Sequence, residues 1–186
     1  MNKQPTLTTE RLLLRPITLA DAADIQRLAG EYEIAYNTLH IPHPYGDGMA
    51  EQWIAQQNEA FERGQQLNLA VVLKEGGEYV GGIGLVLSRE NFRAEMGYWI
   101  GKPYWGRGYG TEAAREMLRY GFEELQLNRI HASFFTRNAA SGRIMEKIGM
   151  RFEGCFREYD NKWGELLDRE CRAILKEEYD RLYRPN

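Results

Sequence analysis

Three glycines at alternate positions, Gly106, Gly108 and Gly110, separate a strand-like run at residues 96–100 from a helical run at residues 111–125. Without a Cβ, each lets the chain pass close to a ligand and turn its N–H groups outward. A helix starting there adds unpaired N–H donors and the positive end of its dipole. The chemistry this favours is anion binding, most naturally of phosphate. Two common phosphate loops fit poorly. A Walker loop needs Lys then Ser or Thr after its last glycine, whereas Thr111 follows Gly110 directly. A dinucleotide loop reads Gly-x-Gly-x-x-Gly early in a chain, whereas the spacing here is Gly-x-Gly-x-Gly, past the midpoint.

Arg107, Arg137, Arg143 and Lys147 fall near this loop or near a second helix start at residue 138, where they would make a local basic pocket. Arg107 and Arg143 are also readable as solvated surface charges, and Lys147 reads chiefly as a surface residue. His40 and His43 lie three apart in a proline-rich loop, but without a third clustered ligand the expectation is no metal. Cys155 and Cys171 lack metal-ligand spacing and read as small apolar residues in a reducing compartment.

The elements that must position these residues follow from periodicity. Residues 11–16 read as a short strand closed by proline, 21–29 as a short helix and 36–48 as a loop. Residues 49–63 are amphipathic, with Met49, Trp53, Ile54 and Phe61 at helical steps. Strands at 68–74 and 79–87 flank a Gly-Gly turn, and a third strand spans 93–101. The helix at 111–125 carries one apolar stripe through Ala114, Met117, Leu118 and Phe122. A strand at 129–136 precedes a helix at 138–148, with Asn138 suited to its N-cap and Gly149 just past its end. Strands at 152–159 and 166–175 surround a turn at 160–164, and a short helix starts at 176. Antiparallel hairpins with one strand–helix–strand crossover predict an α+β sheet with helices on its faces.

The chain has 186 residues, of which 43% are hydrophobic and 27% charged, so residues 1–186 read as a single soluble domain. No stretch approaches the roughly 18 apolar residues of a membrane span. Residues 1–5 lack the apolar run of a secretory signal, so the expected location is cytoplasmic. A net charge of −3 argues against nucleic acid as a partner.

The run Trp105-Gly106-Arg107-Gly108-Tyr109-Gly110 resembles the pyrophosphate loop of the Gcn5-related N-acetyltransferases (GNAT), written Gln/Arg-x-x-Gly-x-Gly/Ala, with Trp105 where Gln or Arg is usual. Residues 138–154 resemble the RimJ/RimL branch segment that reads Asn-x-x-Ser, then Glu-Lys-hydrophobic-Gly-hydrophobic, then Glu-Gly. Residues 9–15, 53–54 and 94–100 resemble the same branch, so the likeness spans residues 8–175 in order. It implies the GNAT fold, a mixed, mostly antiparallel twisted sheet of about seven strands.

The resemblance further implies acetyl-CoA as co-substrate, with its pyrophosphate on residues 105–110 and Thr111 at the helix start. The pantetheine arm would pair with the backbone of Tyr98, Trp99 and Ile100. Asn138 would cap its helix and bond the pantetheine amide, while Arg107 and Arg143 assist the phosphates. Glu95, which alternates onto the strand face opposite Met96, matches a glutamate given the role of base; otherwise it is a solvated strand carboxylate. Ser141 matches a serine that protonates the departing thiolate; otherwise it is a first-turn cap. Tyr36, His40 and Tyr45 would shape the acceptor pocket. The expected activity is acetyl transfer to a primary amine, either a protein N-terminal α-amine or a small molecule. A non-catalytic acyl-CoA-binding module and a homo-oligomer are the other readings.

Overall fold

The computed structural model describes residues 3–184, so Met1 and Asn2, the start of the segment read above for a leader, lie outside them. One open sheet organises the chain. Its strands are β1 (Leu7–Thr8), β2 (Leu12–Pro16), β3 (Gln66–Leu73), β4 (Tyr79–Ser88), β5 (Arg93–Ile100), β6 (Arg129–Phe135), β7 (Arg151–Lys162) and β8 (Glu165–Leu175). They lie in the order β1-β2-β3-β4-β5-β6-β8-β7. Every pairing is antiparallel except β5 with β6, the two strands joined by the crossover.

The helices are α1 (Ala22–Ala29), α2 (Tyr32–Asn37), α3 (Met49–Glu62), α4 (Tyr109–Arg119), α5 (Ala139–Lys147) and α6 (Lys176–Tyr183). They cover both faces of the sheet. Against α4, Leu85, Ala94, Met96 and Ile130 form the larger core with Met117, Leu118 and Phe122, joined by partly buried Tyr98 and Ile100. On the opposite face Ala70, Val72 and Tyr79 pack with Ile25, Leu28 and Ile54 of α1 and α3, with Trp99 against them. Strand alternation therefore sends even-numbered residues of β5 to one face and odd-numbered ones to the other.

The sheet corrects several expectations. It has eight strands rather than about seven, because the two-residue β1 adds to the edge of β2. Residues 32–37 form α2, so the loop predicted at 36–48 begins two residues later, at Thr38. The predicted five-residue turn at 160–164 shrinks to Trp163 and Gly164, both at positive φ (56° and 87°), and β7 continues to Lys162. Such a turn matches the twist of its flanking strands, which lets them pair to their ends. The long crossover helix starts at Tyr109, and its last turn widens into a π turn at Tyr120–Glu124.

Candidate active site

Strands β5 and β6 part company halfway along. They pair only through Arg93↔Arg129, Ala94↔Ile130 and Glu95↔His131, although β5 runs on to Ile100 and β6 to Phe135. Past Glu95 the edge of β5 is left unpaired. Gly101 donates its N–H to Val80 O at 2.8 Å, which directs the amides of odd-numbered residues toward β4. By alternation, Tyr98 and Ile100 direct their N–H and C=O groups into the gap. Trp99, predicted with them, pairs across the sheet with Gly82 and offers the site its side chain instead.

Two cavities meet at this gap. A cavity of about 660 Å³ is lined by Ile100, Trp105, Gly106, Gly108, Tyr109, Gly110 and Thr111 on one side and by Ala139, Ala140, Arg143 and Lys147 on the other. A cavity of about 420 Å³ is lined by His40, Trp53, Asn68, Glu95, Gly97, Ser133 and Arg169. Both are bordered by Asn37, Thr38, Tyr98, Trp99, Asn138 and Ser141.

The larger cavity is built for an anion. Gly106 and Gly108 have φ of +75° and +83°, a region other residues enter at a cost. Gly110 serves packing instead, since a Cβ there would lie 2.9 Å from Ile144 Cδ1 of α5. Among the described residues, the N–H groups of Gly106, Gly108, Tyr109, Gly110 and Thr111 make no backbone hydrogen bond outside their own helix. The first three N–H groups of α4 have no partner within it either. The first turn of α5 lines the opposite wall, so two helix N-termini share one cavity.

Arg11 holds the loop from outside. It donates through Nη1 to Arg107 O at 2.9 Å and through Nε to Glu112 at 2.7 Å. Burial alone would raise the Glu112 carboxyl, but the Thr9 hydroxyl and Arg11 together hold it below its usual value. The Trp105 indole donates to Ile100 O at 2.5 Å, tying the loop to the end of β5 where the resemblance expects a Gln or Arg. The Arg107 side chain lies over the Tyr104 ring, outside the cavity wall.

At the junction, the Tyr98 and Ser141 hydroxyls are 2.9 Å apart, and burial pushes the Tyr98 phenol up to about 12. Asn138 caps α5 by accepting from Ser141 N at 3.2 Å and donates to Asn37 O at 3.4 Å. Glu95, on the other face of β5, accepts from Ser133 Oγ at 3.0 Å, with His131 Nε2 at 4.0 Å. Burial lowers the pKa of His131 despite the attraction of Glu95.

Of the predicted acceptor residues, His40 lines the smaller cavity. Tyr36 lies outside both walls, beneath Arg137 at 3.7 Å, and Tyr45 packs into the second core. Sequence reasoning placed Arg137 in a basic pocket near the second helix start but missed the Tyr98 hydroxyl as part of the site. Arg137 lines the larger cavity, bonded to Glu165 and Tyr36 O, with Nε buried and unpartnered. It also missed Lys162, whose buried ammonium donates to Leu39 O at 3.0 Å and Ile41 O at 2.8 Å, fixing the loop that carries His40. Burial lowers its pKa. Alternation could have flagged the Tyr98 hydroxyl, since it sets that side chain opposite Glu95; nothing local marks Lys162. Among the described residues, no group of three or more His, Cys, Asp or Glu is placed to hold a metal ion, and no helix is long and apolar enough to cross a membrane.

Residues 11–151 match the family model described as an acetyltransferase (GNAT) domain. The uncharacterized N-acetyltransferase p20 of Bacillus licheniformis is 34% identical over 176 residues, covering 94% of this chain and 98% of the relative. The crystal structure of a GNAT-family acetyltransferase from Bacillus anthracis superposes with a TM-score of 0.84 at 28% identity, covering 93% of this chain and 99% of that one. Mycobacterium smegmatis RimJ, solved in complex with CoA-disulfide, shares the fold at a TM-score of 0.82 and 24% identity, covering 94% of this chain and 87% of that one. The split strands, the glycine loop at a helix start and these matches agree: the chain belongs to the GNAT family of N-acetyltransferases.

Proposed function

We propose that this N-acetyltransferase binds acetyl-CoA and an amine together and transfers the acetyl group directly between them. The observation that carries the reading is the meeting of two cavities at the gap between β5 and β6, one with anion-binding N–H groups and one with a carboxylate. The diphosphate is held by the N–H groups of Gly106, Gly108 and the first turn of α4, with Arg143 beside it. The pantetheine arm takes the place of a neighbouring strand along Tyr98 and Ile100. Trp105 holds that loop against β5, and Asn138 keeps its amide at the junction.

The amine nitrogen attacks the thioester carbonyl, forming the C–N bond, and the oxyanion is stabilised by a backbone N–H at the gap. The C–S bond then breaks. Glu95, directly or through water, takes the proton leaving nitrogen, and Ser141 returns one to the thiolate with Tyr98 to resupply it. Freeing an N-terminal α-amine at pH 7 costs about 1.4 kcal/mol, against about 4.6 for a lysine. One half-exposed carboxylate suits the easier task, which favours a protein N-terminal α-amine as acceptor. The modest volume of the smaller cavity, about 420 Å³, favours a second reading, a small-molecule amine.

The test is thiol release from acetyl-CoA, expected to require an amine and to collapse in the Glu95→Gln, Ser141→Ala double variant. Undiminished turnover in that variant removes both roles. Coenzyme binding without turnover of any amine makes the chain a binding module.

A further inference from the structure

The acceptor side of the sheet has a glycine floor. Asn68, Gly84 and Gly97 are cross-strand neighbours on β3, β4 and β5, on the face that also carries Trp99 and Glu95. A Cβ at Gly84 would lie 1.9 Å from Asn68 Oδ1, so the missing side chain is what lets the Asn68 amide lie down on the sheet. Gln57 then fixes that amide. Its Oε1 accepts from Asn68 Nδ2 at 2.7 Å and from Gln66 Nε2 at 2.9 Å. Among the described residues no donor reaches Asn68 Oδ1, which is left as an acceptor at the smaller cavity. A Cβ at Gly97 would meet nothing within 4 Å, so this glycine opens onto the same space.

The charges lining that cavity are few. Glu95 is its one carboxylate among the described residues, and its one guanidinium, Arg169, is already bound to Asp160 through Nε at 2.6 Å and through Nη2. The walls are otherwise largely apolar, Trp53 and Trp99 among them. A ligand with several ammonium groups would leave all but one facing apolar wall, each uncompensated and costly to strip of water.

Resting on the acetyl-transfer reading above, we infer that the acceptor is a primary amine with a single positive charge and an apolar body, received by Asn68 Oδ1 and Glu95 across the Gly84–Gly97 floor. Polycationic amines are excluded from it. Asn68 is then a substrate-binding residue, and Gly97 sets the width of the site.

The experiment compares phenylalanine amide with spermidine at saturating acetyl-CoA, and measures coenzyme binding by calorimetry. Phenylalanine amide should give a kcat/KM at least tenfold higher. Gly97→Val and Asn68→Leu should each raise its KM about tenfold while acetyl-CoA binding and melting temperature stay near wild type. Asn68→Leu leaves Gln57 Oε1 still bonded to Gln66, so a shifted KM there reports the lost oxygen. A wild type that binds acetyl-CoA but prefers spermidine overturns this inference and leaves the proposed function standing. Unchanged KM in both variants does the same. A wild type that binds no acetyl-CoA, or acetylates no amine, overturns both.

Discussion

The hydroxyls of Tyr98 and Ser141 lie 2.9 Å apart across the gap between β5 and α5, although 43 residues separate them in the chain. In the proposed mechanism they supply the proton where the two cavities join. Substituting Tyr98→Phe should lower kcat by ~10²-fold, at the low end of what a positioned proton donor contributes. Acetyl-CoA affinity should hold, because the pairing proposed there for the pantetheine arm uses backbone atoms. Stopped assays of thiol release with calorimetry of coenzyme binding check this; equal losses in both would assign Tyr98 to binding. Burial pushes this phenol up to about 12, so its contribution to stability is complete below its ordinary value of 10.0 and is lost as pH rises toward 12.

His131 gives the opposite sign. Burial holds its pKa below the ordinary 6.5, so the unfolded chain binds the proton more readily than the folded one. Its contribution is present above 6.5 and fades as pH falls through the lower folded value. Urea unfolding followed from neutral pH downward should show stability falling first in this window, and His131→Gln should flatten that first step. An unchanged profile in the variant would assign the loss elsewhere.

Gly108 stands at φ +83°, immediately before α4. Alanine there should cost about 1–2 kcal/mol of stability from the left-handed backbone alone. Its Cβ would approach Arg11 Nη2 at 3.3 Å, from the residue that holds the Arg107 carbonyl. The affinity for acetyl-CoA should therefore drop by more than the stability change accounts for. Comparing the two losses by calorimetry and thermal melting separates a ligand-holding turn from a merely strained one.

Lys162 is 5% exposed and donates to two carbonyls that flank His40. Lys162→Met should destabilise the fold by about 2 kcal/mol, as loss of charge-assisted hydrogen bonds does. It should also raise the KM for the amine while leaving that for acetyl-CoA unchanged, since the loop it fixes borders the smaller cavity. Equal effects on both substrates would show that the loop serves the whole cleft.

Much of this protein is local. The α3, α4 and α5 stripes, the alternation along β2 to β8, the Asn138 cap and the glycine loop are set by residue types within a few positions of one another, which periodicity and turn chemistry record. The two-residue β1 and six-residue α2 are too short to carry a period, so both escaped notice. The loop glycines marked an anion site in the residues themselves, whereas the roles expected of Glu95 and Ser141 came from the family resemblance.

Tertiary structure alone decided how these parts meet. The end of β5–β6 pairing at Glu95 and His131, the Tyr98–Ser141 contact and the Asn68–Gly84 fit each join separate elements. Arg11 reaches Arg107 over 96 residues, and Lys162 reaches Leu39 over 123. Where two strands part depends on the twist of the whole sheet and on the helices wedged against it, and no pattern along either strand encodes that point.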